Sequence, residues 1–425
     1  MKRRDFVKTI AASYPASLIA SSPLVSASPL KVSNTGIRNK VVFISDIHLN
    51  VDAEYSWISQ QHLNSLTAFL LELNDRPDVA EFVILGDLID DWVVPVKNAP
   101  NSFESILSDQ INSQVVTALQ ALSRNPQLKV SYLTGNHDLL SWQQQNKIVI
   151  QTNFPGMQII SEYPGNGSWS MDKVVWAEHG HRYCLFNAAD IWSKKDSQLP
   201  LGYFMARLAA TASVNQHQKF NTLDLLYKLS KLSEGELRQY LTDGGWNRSV
   251  PHTKIDRGIY DDAFIRLAYY AEAAWSNSQP SDKYVMNGVD SFAKDPTVWR
   301  VGQRYDQILS KWPIRQDRVP GVMALFDDLG ALSNAADVLF RMPAHLKDDY
   351  PFTPKIVLFG HTHKALIQNN TGEGTIYVNT GTWIDGKPMT WAEIETTPNE
   401  NGQTYTVTLW DYGNNTQLGQ ASITV

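Results

Sequence analysis

Five short apolar runs in this chain end in the same way. Residues 41–44 run into Ser45-Asp46, 82–85 into Gly86-Asp87 and 130–133 into Thr134-Gly135-Asn136. Residues 174–177 run into Glu178-His179, and 356–359 into Gly360-His361. Four residues that are all or mostly apolar, bounded by glycine or polar residues, read as a strand buried on both faces. Each run therefore delivers a carboxylate, an amide or an imidazole at its carboxyl end. Loops leaving the strands of an α/β sheet converge on that edge, where ligands bind. Five chemically capable turns there predict one shared site.

Helical patterns at 57–73 and 103–123 separate the early runs. Leu63, Leu66, Phe69, Leu70 and Leu73 share one helix face. Strand–helix alternation predicts an α/β sheet. Residues 191–345 differ. Helical patterns dominate there (202–212, 222–242 and 261–276), with many aromatics and loop-like stretches at 246–260 and 277–300. This segment lies between two of the polar strand ends, so it reads as an insertion. Its aromatics are expected mainly to form its own core, with a few lying over the site. Beyond residue 375 the chain reads as strand again (376–378, 391–394 and 405–410), and these strands are expected to complete a second layer. The division is therefore a core of 38–190 and 346–425 around a helical cap of 191–345. The chain's 425 residues suit this, because a single core seldom grows beyond about 250–300 residues.

Residues 1–27 read as an export signal. Lys2, Arg3, Arg4 and Lys8 surround Asp5, a weakly apolar stretch follows, and Val25-Ser26-Ala27 offers a cleavage site. The run from Arg3 to Lys8 resembles a twin-arginine signal, which implies passage through the twin-arginine machinery to the periplasm. No segment predicts a membrane anchor in the mature chain. Loss of residues 1–27 removes four positive charges and one negative, so the net charge moves from −6 to −9. That balance disfavours nucleic acid as a partner. The single cysteine, Cys184, excludes an internal disulfide, a cysteine-rich zinc site and an iron–sulfur cluster.

The polar blocks are Asp46-Ile47-His48, Gly86-Asp87, Gly135-Asn136-His137-Asp138, His179-Gly180-His181 and Gly360-His361-Thr362-His363. Taken singly, Asp46 and Asp87 could be helix caps and Asn136 a turn residue. Together they supply oxygen and imidazole donors, which suit two divalent ions of manganese, iron, zinc or nickel. Asp46, His48, Asp87, Asn136, His179, His361 and His363 make eight contacts if Asp87 bridges.

The five blocks, in this order, resemble the calcineurin-like metallophosphoesterase superfamily. The resemblance covers the core and says little about 191–345. It implies an α/β sandwich of two packed sheets flanked by helices. It places Asp46, His48, Asp87 and His363 on one ion and Asp87, Asn136, His179 and His361 on the other. It implies a hydroxide between the ions as nucleophile, with His137 near the leaving group and Asp138 orienting its ring. The activity implied is hydrolysis of a phosphomonoester, phosphodiester or pyrophosphate in a small, nucleotide- or lipid-linked substrate. The His-Gly-His block and the helical insertion look more loosely like the UDP-2,3-diacylglucosamine hydrolase branch, in which Arg commonly stands where this chain has His137. A nuclease and a metal-free scaffold are the competing readings. His181 is expected to touch phosphate or to support a ligand. Asp90 and Asp91 are expected to be solvated or supporting. The turn Thr380–Trp383 reads only as a turn, and His62, His217, His252 and His345 lie outside the blocks.

Overall fold

A computed structural model describes residues 37–161, 167–184, 187–189, 199–220, 239, 262–286, 296–302, 329–341, 351–370 and 372–425. The export signal, the expected helix 222–242, His252 and His345 lie outside the described residues. In chain order the strands and helices begin with β1 (Lys40–Ile44), α1 (Gln60–Asn74), β2 (Val79–Leu85), α2 (Phe103–Ser108) and α3 (Ser113–Arg124). Then come β3 (Lys129–Leu133), α4 (Gln144–Asn153), β4 (Met157–Ile160), β5 (Ser168–Met171) and β6 (Val175–Glu178). Residues 191–345 contribute α5 (Leu201–Gln216), α6 (Asp262–Trp275) and α7 (Leu329–Arg341). The chain closes with β7 (Ile356–Phe359), β8 (Leu366–Asn370), β9 (Thr375–Asn379), β10 (Thr390–Asn399), β11 (Gly402–Asp411) and β12 (Thr416–Thr424).

Two mixed sheets pack face to face. The first has the order β12-β11-β10-β1-β2-β3-β4 and the second β5-β6-β7-β9-β8. Strands β1 to β4 are mutually parallel, as are β6, β7 and β9. The unbroken apolar runs follow from burial on both faces. Val41 and Phe43 of β1 meet Val175, Leu358 and Val378 between the sheets. Val42 and Ile44 turn the other way, onto Leu66, Phe69 and Leu70 of α1. A buried leucine of this kind contributes about 1.5–3 kcal/mol. On the outer face of the second sheet, Val357 and Phe359 meet Leu332 and Ala336 of α7.

Two expectations need correction. The pattern at 103–123 is not one helix. Asp109 is extended (φ −63°, ψ 136°) and its carboxylate accepts from Ile111 N, so α2 stops and a short 3-10 turn leads into α3. The late strands do not all build the second layer. Only β9 does; β10 pairs antiparallel with the free edge of β1 and carries β11 and β12 into the first sheet. In the insertion, Tyr203, Phe204, Tyr269 and Tyr270 are buried in a cluster that also takes Trp92 and Leu140 from the core. Among the described residues no helix is long and apolar enough to cross a membrane.

Candidate metal centre

All five polar blocks lie at the carboxyl ends of β1, β2, β3, β6 and β7. Their backbone is unusual. Ten described non-glycine residues have positive φ, and five of them are Asp46 (53°), His48 (56°), Asp87 (53°), His361 (70°) and His363 (55°). A left-handed conformation costs such residues on the order of 1–3 kcal/mol each, and it persists where surrounding structure enforces it. Here the enforcing contacts are explicit. Ile47 N and His48 N both donate to Asp87 O at 2.9 Å. His361 N donates to Asp46 Oδ2 at 2.9 Å, and His137 N to Asp87 Oδ1 at 2.8 Å. Two glycines permit this closeness: a Cβ on Gly135 would lie 2.1 Å from Asp87 Oδ1, and one on Gly360 would lie 2.6 Å from Asp46 Oδ2.

The donor atoms face each other across short gaps. His48 Nε2 lies 3.1 Å from His363 Nε2. His179 Nε2 lies 3.0 Å from Asn136 Oδ1 and 3.2 Å from Asp87 Oδ2. His363 Nε2 lies 3.2 Å from Asp46 Oδ1. Atoms bound about 2.0–2.2 Å from one ion are spaced by roughly 3.0–3.5 Å, the edge of the coordination polyhedron. Asp87 Oδ2 lies between the two halves of the set, 3.2 Å from His179 Nε2 and 3.7 Å from His48 Nε2. Asp46 Oδ1 is buried and makes no hydrogen bond of acceptable geometry. A buried carboxylate oxygen left so is costly, and a cation among these donors would satisfy it. The residues present therefore fit divalent metal.

Outer partners aim the imidazoles. His48 Nδ1 bonds Asp90 Oδ2 at 2.9 Å, and His179 Nδ1 donates to Leu85 O at 2.7 Å. Each contact leaves Nε2 turned inward, as metal-binding histidines require. The charges answer one another. Burial disfavours a charged His179, but Asp87 and Asp46 outweigh it and push the imidazole up to about 10. Burial lowers His361 well below the usual range, aided by the charge on His179.

His137 sits beside the donors, stacked on Trp92 at 4.5 Å and flanked by Trp57 at 5.2 Å. Asp138 is not what orients it. Asp138 Oδ1 accepts from Gly135 N at 2.6 Å, and Oδ2 accepts from Leu88 N at 2.8 Å and from the Tyr132 hydroxyl. Burial and the charge of Asp87 push that carboxyl up to about 7. It ties the turn after β3 to the turn after β2. The carboxylate beside the His137 ring is Asp90, whose Oδ1 lies 3.0 Å from Nδ1. Burial opposes charge on His137, but Asp90 and Asp87 push it up to about 9. Neither Asp90 nor Asp91 is solvated: both are buried. His181 lies next to the set, its ring 5.3 Å from His179 and 6.4 Å from His361. The turn after β9 also has a role. Thr382 Oγ1 and Trp383 N both donate to Asp46 O, at 2.8 and 3.1 Å.

A two-sheet sandwich with this oxygen- and imidazole-lined cluster at its strand ends is an arrangement suited to divalent metal. Residues 39–228 match the family model for calcineurin-like phosphoesterases. No curated protein matches the sequence. Among solved structures, a similar chain is the nuclease MPE of Pseudomonas putida. It is 18% identical over 33% of this chain and 54% of that one, with a TM-score of 0.22. The match thus spans about half of the nuclease's length.

Proposed function

We propose that the chain is an exported phosphohydrolase that uses two divalent ions, manganese among the candidates, to cleave a phosphomonoester, phosphodiester or pyrophosphate bond. Its setting is the periplasm, reached by the twin-arginine route. Asp46, His48, Asp87 and His363 hold one ion; Asp87, Asn136, His179 and His361 hold the other. The observation that carries this reading is Asp87 Oδ2, placed between the imidazoles of the two halves.

The bound ions would supply Lewis-acid activation of water and neutralise charge on the phosphoryl oxygens. The chain's own residues do the rest. Asp46 and Asp87 bring two negative charges into a buried site and so favour cations there. Asp90 and Leu85 O hold His48 and His179 in the ligating tautomer. His137, packed on Trp92 and close to Asp90, donates a proton to the leaving oxygen or stabilises the phosphoryl charge. The net charge of the mature chain favours a small substrate over nucleic acid.

The test is a hydrolysis screen on residues 28–425, with chelator or added manganese, using a phosphomonoester, a phosphodiester and a nucleotide-sugar pyrophosphate. Metal-dependent release from one of them is expected, and His137→Asn should lower turnover strongly while keeping its metal. Failure to bind metal, with no hydrolysis, would overturn the reading in favour of a scaffold.

A further inference from the structure

Two of the ligand histidines are aimed by core groups, Asp90 for His48 and Leu85 O for His179. His361 differs. Its Nε2 lies 3.2 Å from Nδ2 of Asn187, a residue beyond the last core block of the first half. Asn187 is itself anchored. Its backbone N–H donates to Cys184 O at 3.2 Å, Ala188 N donates to the same oxygen at 2.8 Å, and Nδ2 lies 3.6 Å from Cys184 Sγ.

The Nε2 atoms of His48, His179 and His363 each lie within 4.0 Å of Asp46 or Asp87. His361 presents Nε2 to the Asn187 amide instead. A histidine that gives one ring nitrogen to a metal carries its proton on the other and needs an acceptor there. The asparagine amide can serve either tautomer, because turning it by half a revolution exchanges NH2 for oxygen at the same place.

We propose that Asn187 is the positioning residue of His361. Its amide oxygen would accept an Nε2 proton from the ring and so leave Nδ1 as the nitrogen for the ion that Asp87 and His179 would also hold. This inference rests on the two-ion reading. It makes the affinity of one ion depend on a residue next to the insertion, while the other ion depends on the core alone.

The test uses the full mature chain and manganese alone, with metal content and affinity measured by chelator competition. Asn187→Leu keeps the volume and removes the acceptor. It is expected to weaken one of two manganese equivalents by about 10–100-fold and to leave the other unchanged. Asn187→Asp keeps an acceptor oxygen and is expected to hold both. Unchanged affinities in Asn187→Leu would overturn the inference, as would equal weakening in both variants, and the two-ion reading would stand. A wild-type chain that binds fewer than two equivalents would overturn both.

Discussion

Two groups of buried charge lie at opposite ends of the first sheet, and they are built differently. At the amino ends of β1 and β2, Arg76 donates to Asp78 through Nε at 2.7 Å and Nη2 at 2.8 Å, and to Glu393 Oε2 at 2.7 Å. Lys40 Nζ closes the set, 3.0 Å from Glu393 Oε1 and 3.3 Å from Asp78 Oδ2. Every carboxylate oxygen there faces a cation, and none of these residues has a left-handed backbone. At the carboxyl ends the carboxylates face imidazoles, Asp46 Oδ1 is left without a hydrogen bond, and five donors are strained. The first group is complete in protein atoms, as a structural network must be. The second is complete only with cations, and its strain is the mark of a site held ready for them.

The largest expected effect falls on the second group. Asp87→Asn should keep the fold and lower kcat/KM on the order of 10³-fold, about 4 kcal/mol. Steady-state kinetics with saturating metal checks this. A loss of only a few-fold would show that Asp87 does not join two halves of the site.

Arg76→Ala should do the reverse. It strands Asp78 and Glu393 and should cost about 3–5 kcal/mol of stability, while turnover per folded molecule stays near wild type. Urea unfolding alongside kinetics separates the two quantities. A variant with full stability and lost activity would erase the contrast between the two ends.

A third case sharpens the comparison at smaller scale. Glu272 on α6 is fully buried, and among the described residues neither carboxyl oxygen has a hydrogen-bond partner. Burial pushes it well above its ordinary value of 4.5. Among the described residues no cation faces it, so the protonated form is favoured. An acid raised on folding contributes stability that is fully present below the unfolded pKa and is lost as pH rises through the folded one. Stability should thus fall above pH 4.5, with a limiting slope of about 1.4 kcal/mol per unit. Glu272→Gln should flatten that slope. Denaturation midpoints at pH 5 and pH 8 decide it; equal slopes in both proteins would mean the carboxyl ionises at no cost.

The strands that carry the site were legible because burial on both faces leaves an unbroken apolar run, and the polar residue that ends each run is the donor. That Asp46, His48, Asp87, Asn136, His179, His361 and His363 come together at one edge was legible for the same reason. Asp90 was not. Its value comes from a turn that brings it against His48 Nδ1 and the His137 ring, contacts 42 and 47 residues apart in sequence. Asp138 misled in the opposite direction, because a neighbour in sequence is not a neighbour in space: its oxygens are taken by Leu88, Gly135 and Tyr132. Strands β4, β5, β8 and β12 gave no clear signal. All four are edge strands, and β8 and β12 carry exposed residues, so no apolar run marks those two.

Composition, order and spacing alone determined the class of chemistry, since oxygen and imidazole donors in fixed blocks admit few metals and few reactions. They also determined which strand ends take part, because each donor lies within four residues of the end of its strand. Only tertiary structure decided which carboxylate serves which histidine, that Thr382 holds Asp46, and that β10 to β12 extend the first sheet rather than the second. Those choices depend on hydrogen bonds between segments tens to hundreds of residues apart, and the local pattern of a chain carries no record of the direction from which such a partner arrives.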